Sequence, residues 1–236
     1  MGLLRAAAGV SGGHALDRPV WAALTSRQAG LAEGDARAWR MQRDHGVFAA
    51  AADGSVESLA ALAALIPEGE DVWLVETDPV PPPGTVIRRQ ALCHQMIAEA
   101  LTSAAEPGFE IVDLGEAAAG EMFALARLTE PGPYYPRTHR LGDFVGVKQD
   151  GRLVAMAGER MRLDGFTEVS GVCTHPDFRG RGYAGALMRV VTARILARGE
   201  AAFLHSYASN AGAIALYESL GFGFRAEIWA TVVGHS

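Results

Sequence analysis

Cysteine is scarce in this chain. Its 236 residues include two, Cys93 and Cys173, which is too few for a disulfide framework or a cysteine-based zinc site. The histidines His14, His45 and His94 are scattered without the spacing of metal ligands. We therefore expect a protein of a reducing compartment, the cytoplasm, that needs no metal.

Long apolar runs and a surplus of positive charge are also missing. The longest apolar stretch, residues 60–66, is far shorter than the roughly 18–20 residues of a membrane span. No sustained apolar block follows Arg5, as it would in a signal peptide, and Ala6 stands where a myristoylation signal has Ser or Thr. The formal net charge is −6, whereas proteins that bind nucleic acids are generally basic. We expect neither a membrane nor a nucleic acid as a partner.

The apolar content is ample for a core, since 49% of the residues are hydrophobic and 20% are charged. Proline and glycine interrupt the chain at residues 79–84, 104–108 and 131–136. We place a domain boundary at the second interruption, which gives an N-terminal α/β lobe, 1–104, and a C-terminal domain, 105–236.

The N-terminal part carries no cluster of residues that is typical of catalysis. We predict helices over residues 26–43, 55–66 and 90–101, and a short strand over 71–76. The helix over 55–66 has apolar residues at helical spacing behind a serine cap.

The C-terminal part alternates strands and helices. Two Asp-Gly pairs, at 150–151 and 164–165, are strong hairpin signals. We predict strands over 109–114, 143–149, 152–162, 166–174 and 202–207, one or two more over 222–233, and helices over 116–128, 182–198 and 211–220. This order indicates an α/β (α+β) fold with a mixed sheet and helices packed on it.

A glycine-rich loop opens the helix over 182–198. Gly180 and Gly182 allow the backbone to approach an anion closely, and free N–H groups at a helix start attract negative charge. Residues 178–199 contain five arginines and no acidic residue, which favours a polyanionic ligand. For Arg189, Arg194 and Arg198 the alternative is an ordinary solvated basic face.

The same loop matches G-x-G-x-x-G, the fingerprint of dinucleotide binding. Residues 175–179, however, separate the first glycine from its strand, and the next strand ends without an acidic residue for a ribose. The fingerprint alone is therefore a weak signal.

A second motif, taken together with this loop, indicates a protein family. Residues 210–222 read N-x-x-A-x-x-L-Y-x-x-L-G-F, and they follow R-G-R-G-Y-A of residues 179–184. In this order and spacing, the pair resembles the GNAT superfamily of acyl-CoA-dependent N-acyltransferases, from about residue 109 to the C-terminus. With the extra N-terminal half, the chain resembles the two-lobed subgroup that includes glycine N-acyltransferase-like proteins, whose first lobe would be a degenerate GNAT-like half.

The resemblance implies acetyl-CoA as co-substrate, lying where the strand that ends at Thr174 splays from the strand over 202–207. Main-chain groups at the end of the first strand would pair with the pantetheine amides. N–H groups of residues 180–184 would hold the pyrophosphate, and Asn210 would cap the next helix and reach toward the pantetheine arm. The cofactor-binding residues expected in this way are Val172, Cys173, Thr174, Arg179, Gly180, Arg181, Gly182, Tyr183, Ala184 and Asn210.

The resemblance also implies the catalytic groups. Tyr217 matches the family tyrosine that protonates the leaving thiolate, a suitable role for a phenol. Glu168 lies eleven positions before Arg179, which is the spacing of the glutamate used as general base in some members. Glu159 and a water molecule are the alternatives for the base. Cys173 is not expected to act as a nucleophile, because transfer in the family is direct.

The function expected from the resemblance is transfer of an acetyl group from acetyl-CoA to a primary amine of a small molecule, peptide or protein, in a ternary complex. The alternatives are a non-catalytic acyl-CoA-binding module and, less favoured, a nucleotide-dependent oxidoreductase. We expect His205 to be a strand residue that either packs in the sheet or is hydrogen-bonded. His139, Tyr134 and Tyr135 either line the acceptor side or belong to an ordered surface loop. The N-terminal lobe either closes the acceptor cleft or forms a subunit contact in a homodimer.

Overall fold

The computed structural model describes residues 13–236. The N-terminal residues in which we looked for a leader or lipidation signal lie outside this range. Among residues 13–236, no helix combines the length and apolar character that crossing a bilayer requires.

The described residues form five α-helices and eleven β-strands. The helices are α1 Pro19–Leu24, α2 Val56–Leu65, α3 Ala119–Thr129, α4 Tyr183–Ala197 and α5 Ala211–Leu220. The strands are β1 Ala32–Asp35, β2 Ala38–Met41, β3 Ala49–Ala51, β4 Asp71–Glu76, β5 Thr85–Ala98, β6 Val112–Leu114, β7 Phe144–Gln149, β8 Arg152–Leu163, β9 Phe166–Thr174, β10 Ala201–Tyr207 and β11 Gly223–His235.

Eight of the strands form one mixed sheet in the order β4-β11-β5-β10-β9-β8-β7-β6, and β1, β2 and β3 form a small second sheet. In the large sheet only β9 and β10 pair in parallel; the other neighbours are antiparallel. The predicted α/β fold with a mixed sheet is therefore confirmed.

Helices cover both faces of the large sheet. On β10, Phe203 and Leu204 point to opposite faces, as consecutive strand residues do. Leu204 packs in the cluster that contains Leu187 of α4, and Phe203 packs in the cluster that contains Val20 and Leu24 of α1. The sheet is thus buried on both sides, which explains why its central strands are apolar on both faces.

The predicted boundary between residues 104 and 105 falls after β5. This strand comes from the N-terminal part, yet it lies between β10 and β11 of the C-terminal part. The separate N-terminal lobe, with its degenerate GNAT-like half, is therefore not confirmed, because β4 and β5 are strands of the common sheet.

Two of the predicted N-terminal helices are wrong. Residues 90–101 lie mainly in β5, where pairing on both edges outweighs the helix propensity of the sequence. Residues 26–43 form a 3-10 turn and then the β1–β2 hairpin. Gly34 suits this hairpin, since its φ is +136° and a Cβ at this position would lie 2.2 Å from the Ala38 carbonyl oxygen.

The other elements agree closely with the sequence. Helix 55–66 is observed as α2, with Ser55 accepting a hydrogen bond from the Ser58 N–H at its start. The strand over 71–76, all elements of the C-terminal part and both Asp-Gly turns are present, with shifts of at most a few residues at the ends. The final segment is one strand, β11.

Candidate active site

The central feature of the site is the point where β9 and β10 separate. They pair only from Phe166 with Ala201 to Glu168 with Phe203; beyond that both strands continue without pairing with each other. A bulge in β9 at Gly171 follows, where the register with β8 shifts by one residue. Gly171 has a φ of +63°, a backbone conformation that favours glycine. The separation predicted from the sequence is therefore observed.

The loop before α4 presents unused hydrogen-bond donors. The Arg179 N–H donates to the Pro176 carbonyl at 3.3 Å, and the Ala186 N–H donates to the Gly182 carbonyl at 3.1 Å. Between them, the N–H groups of residues 180–185 donate to no other group of the described chain. Gly180 and Gly182 have φ values of +77° and +78°, which set the turn that leaves these donors at the start of α4.

The arginines of this region fall into two groups. Arg179 and Arg181 are exposed and form no ion pair with a carboxylate of residues 13–236. The Arg181 guanidinium lies 4.8 Å from the centre of the Phe178 ring. The positive charge of the loop is therefore available to an external anion.

The three arginines further along α4 have partners within the chain. Arg189 donates to Thr102, Arg194 pairs with Asp113 at 2.5 Å, and Arg198 pairs with Glu159 at 2.7 Å. They fit the alternative that we gave for them, an ordinary basic helix face.

A groove of about 450 Å³ runs between the loop, the end of β9 and the start of α5. Tyr217 lies on its wall. The groove is also lined by all ten residues that we predicted to bind the cofactor: Val172, Cys173, Thr174, Arg179, Gly180, Arg181, Gly182, Tyr183, Ala184 and Asn210. The structure thus brings these residues together on one surface.

Cys173 contributes to this groove without a reactive thiol. Its side chain packs in the apolar cluster of α3, with Met122 and Leu125. Burial raises the pKa of the thiol to about 11, so it stays protonated near neutral pH and is a weak nucleophile.

Asn210 and Tyr217 are placed by α5. The Asn210 Oδ1 accepts a hydrogen bond from the Ala213 N–H at 3.2 Å and so caps the helix. Tyr217 follows two turns later, with its ring edge-on to Phe222. Burial raises the pKa of the Tyr217 phenol above its ordinary value, so the hydroxyl carries its proton.

A second cavity, of about 270 Å³, lies on the other side of Tyr217. It shares Pro131, Val172, Asn210 and Tyr217 with the first groove. The two spaces therefore meet where β9 and β10 have separated.

Residues of the N-terminal part wall this second cavity: Phe48, Trp73, Val75 and Cys93. No local sequence pattern indicates these four residues, because their approach depends on the insertion of β5 between β10 and β11. The N-terminal part thus helps to close the cavity. Tyr134 and Tyr135 line an adjoining groove of about 450 Å³ together with Trp73. His139 is buried and bonded to Glu116 at 3.0 Å.

The structure places Glu168, which we predicted to be the general base, in a buried ion pair. Its carboxylate accepts hydrogen bonds from Arg160 Nε at 2.8 Å and Nη2 at 2.6 Å, and from His205 Nδ1 at 2.8 Å. Burial alone would raise the pKa of Glu168, but the charge and hydrogen bonds of Arg160, and then the hydrogen bond from His205, lower it to about 2. Glu168 also lies behind Arg160 and His205, which line the cavity in its place. Both oxygens of the carboxylate are thus engaged by donors of the protein.

Glu159 is no better placed. It is fully buried on the face that α4 covers, and its Oε1 lies 2.7 Å from Arg198 Nη2. Glu159 lines neither the groove nor the cavity. Both candidate carboxylates are thus paired with arginines.

His205 is held at both ring nitrogens. Its Nδ1 faces the Glu168 carboxylate, and its Nε2 lies 3.0 Å from Gln95 Nε2. The Gln95 Oε1 accepts a hydrogen bond from Arg225 at 2.6 Å, which fixes its amide nitrogen as the donor to His205. These partners assign the Nδ1–H tautomer. The expectation of a hydrogen-bonded strand residue is met, and neither ring nitrogen is free for the substrate.

Comparisons with known proteins identify relatives of this chain. A family model described as FR47-like protein matches residues 144–230. The [ribosomal protein bS18]-alanine N-acetyltransferase of Escherichia coli K12 is 40% identical over 77 residues, which are 32% of this chain and 51% of that protein. The chain thus spans about half the length of the curated relatives it matches.

Solved structures extend the likeness to almost the whole chain. A GCN5-related N-acetyltransferase from Kribbella flavida has the same fold, with a TM-score of 0.60 at 19% identity over 92% of each chain. A protein from Novosphingobium aromaticivorans DSM 12444, assigned to the GNAT family, is 52% identical with a TM-score of 0.89. That match covers 95% of this chain and 100% of the other. The chain therefore belongs to the GNAT family of acetyltransferases.

Proposed function

We propose that the protein transfers an acetyl group from acetyl-CoA to a primary amine, directly and within a ternary complex. One observation carries the proposal: the groove with the free N–H groups and the second cavity meet at Val172 and Tyr217. A thioester in the groove and an amine in the cavity would therefore face each other without a covalent enzyme intermediate. Cys173, the cysteine of the groove, is unsuited to such an intermediate because its thiol pKa is high.

The groove suits coenzyme A in charge and shape. The N–H groups of residues 180–184 are available to the two phosphates of the diphosphate, and a helix start favours anions. Arg179 and Arg181 add unpaired positive charge at the same end. The main chain at Val172 and Thr174, beyond the last pair with β10, would hold the pantetheine amides like an added strand.

The chemical step needs a proton for the leaving thiolate and a route for the proton of the amine. The amine nitrogen attacks the thioester carbonyl carbon, the carbon–sulfur bond breaks, and Tyr217 donates its phenolic proton to the sulfur. Burial keeps that proton on Tyr217 until the thiolate forms. The attacking nitrogen gives its proton to water, since Glu168 and Glu159 are both engaged by arginines.

The acceptor is a primary amine of a small molecule, a peptide or a protein. The Escherichia coli relative named above is an N-acetyltransferase for the alanine of a ribosomal protein, which supports an α-amino group as the acceptor. Both cysteines are free thiols, which supports the cytoplasm as the compartment.

The test is release of free thiol from acetyl-CoA in the presence of single amines. We expect release with at least one amine, and initial rates at varied acetyl-CoA and amine that give intersecting double-reciprocal lines. Parallel lines would contradict direct transfer. Binding of CoA without thiol release from any amine would indicate a non-catalytic acyl-CoA-binding module instead.

A further inference from the structure

Arg160 lines the second cavity with donors that the protein does not use. Its Nε and Nη2 are bound to Glu168, but its Nη1 makes no hydrogen bond within residues 13–236 and lies on the side of Gly132. The side chain is only 13% exposed, and its guanidinium stacks 4.8 Å from the centre of the Phe48 ring. The cavity therefore contains a rigid, partly desolvated pair of N–H donors.

The rigidity comes from the network behind Arg160. Glu168 is fixed by His205, and His205 is fixed by Gln95, as described above. These residues lie on β8, β9, β10 and β5, which are consecutive strands of the sheet. A guanidinium held in this way loses little conformational freedom on binding, and its planar fork suits an oxygen acceptor.

The charge and position of Arg160 restrict what it can bind. Glu168 already balances its positive charge, so the free Nη1 donors suit an oxygen atom rather than a large anion. A ligand that displaces water from these donors without accepting their hydrogen bonds loses binding free energy. Val172 and Tyr217 line the same cavity as Arg160, so an acceptor whose amine lies at the junction occupies the cavity that Arg160 faces.

We propose that Arg160 is a specificity-determining residue that binds the acyl oxygen next to the acceptor amine. The acceptor is then an α-amino acyl compound, either a free amino acid or the N-terminal residue of a peptide, and Phe48 and Trp73 enclose its side chain. This inference rests on the proposed function, because it places the amine at the junction with the acetyl-CoA groove.

The test compares two acceptors, L-alaninamide and isopropylamine, which share the amine and a methyl group but differ in the acyl oxygen. The enzyme variant is Arg160→Lys, which keeps a cation for Glu168 and loses Nη1. We expect kcat/KM for L-alaninamide to fall about 10- to 100-fold, the range of a hydrogen bond to a charged group. For isopropylamine we expect little change. Because each amine is compared with itself, the difference in amine basicity cancels.

The matched control is Arg198→Lys, which alters an arginine bound to another buried carboxylate, Glu159, on the opposite face of the sheet. It should change both amines by the same factor. An equal loss for both amines in Arg160→Lys would overturn the inference and leave the proposed function intact. Absence of thiol release by the wild-type enzyme with every amine would overturn both.

A second measurement needs no variant. At equal concentrations of free base, the wild-type enzyme should prefer L-alaninamide over isopropylamine by about tenfold or more, and equal rates would overturn the inference. Comparison of L-alanine with a short peptide that begins with alanine then distinguishes the two sources of the oxygen. A preference for the peptide indicates an N-terminal acceptor, and a preference for L-alanine indicates a free amino acid; either supports the inference.

Discussion

Replacing Glu168 with Gln tests whether this carboxylate stabilises the fold or acts as a base. The side chain is 1% exposed and is held by two hydrogen bonds from Arg160 and one from His205. The change Glu168→Gln removes the counter-ion of Arg160. It also replaces one accepting oxygen by an NH2 group, which then faces the N–H donors of Arg160 or His205. Loss of one partner of a buried ion pair costs about 3–5 kcal/mol of stability.

The pKa of Glu168 gives an independent magnitude. Its fall from 4.5 to about 2 on folding corresponds to about 3 kcal/mol of stability, at 1.36 kcal/mol for each pKa unit. Because the pKa is lower in the folded state, this contribution is fully present above pH 4.5. It is lost as the pH falls toward 2, and about 2 kcal/mol of it is gone at pH 3.

The assay is urea unfolding of the wild type, Glu168→Gln and a control variant, Glu218→Gln, at pH 7 and pH 3. Glu218 is exposed on α5. We expect Glu168→Gln to lose about 3 kcal/mol at pH 7, and its difference from the wild type to shrink by about 2 kcal/mol at pH 3. The control should stay within about 0.5 kcal/mol of the wild type.

Two results would refute this reasoning. One is a difference between Glu168→Gln and the wild type that does not change with pH. The other is a fully stable variant that loses about 10²–10⁴-fold in kcat, which is the signature of a missing general base.

Three further outcomes follow from the site. Tyr217→Phe should lower kcat about 10²–10⁴-fold without changing the Kd for CoA, measured by thiol release and calorimetry; an unchanged kcat would exclude Tyr217 as the acid. Gly182→Ala and Gly199→Ala should each lower stability by about 1–2 kcal/mol, because both glycines have positive φ. Only Gly182→Ala should weaken CoA binding, by about tenfold. Equal CoA affinities of the two variants would contradict binding of the diphosphate by the loop before α4. Trp73→Ala should raise the KM for the amine about tenfold at an unchanged Kd for CoA. A change confined to CoA binding would contradict the proposal that the amine binds in the second cavity.

The C-terminal part was predictable because its signals are local. The Asp-Gly turns, the glycine loop before α4 and the cap at Asn210 each specify a conformation within a few residues. Their combination also placed all ten candidate cofactor residues on one groove. Once the sheet has formed, these local conformations are sufficient to place the ten residues on the groove.

The N-terminal part was not predictable in the same way. Residues 90–101 have no strict alternation of apolar and polar residues, because residues 93–98 of β5 are buried or half-buried in succession and paired on both edges. Its partners come from beyond residue 200, so no local pattern indicates the pairing. The second cavity, which Phe48 and Trp73 help to line, depends on this pairing and was missed for the same reason.

The role of Glu168 shows a different limit of sequence reasoning. Its spacing from Arg179 matched a general base, but its function depends on which side chains face it across the sheet. Arg160 lies on the neighbouring strand β8, and His205 lies on β10. Whether a strand carboxylate is free or paired is decided by the register of its neighbours, which the sequence of one strand does not contain.

The most direct measurement is a crystal structure of the protein with bound CoA. We expect phosphate oxygens about 2.7–3.2 Å from the N–H groups of residues 180–184, and the thiol at the junction beside Val172 and Tyr217. Density for CoA at any other place, with those N–H groups still without a partner, would contradict the account.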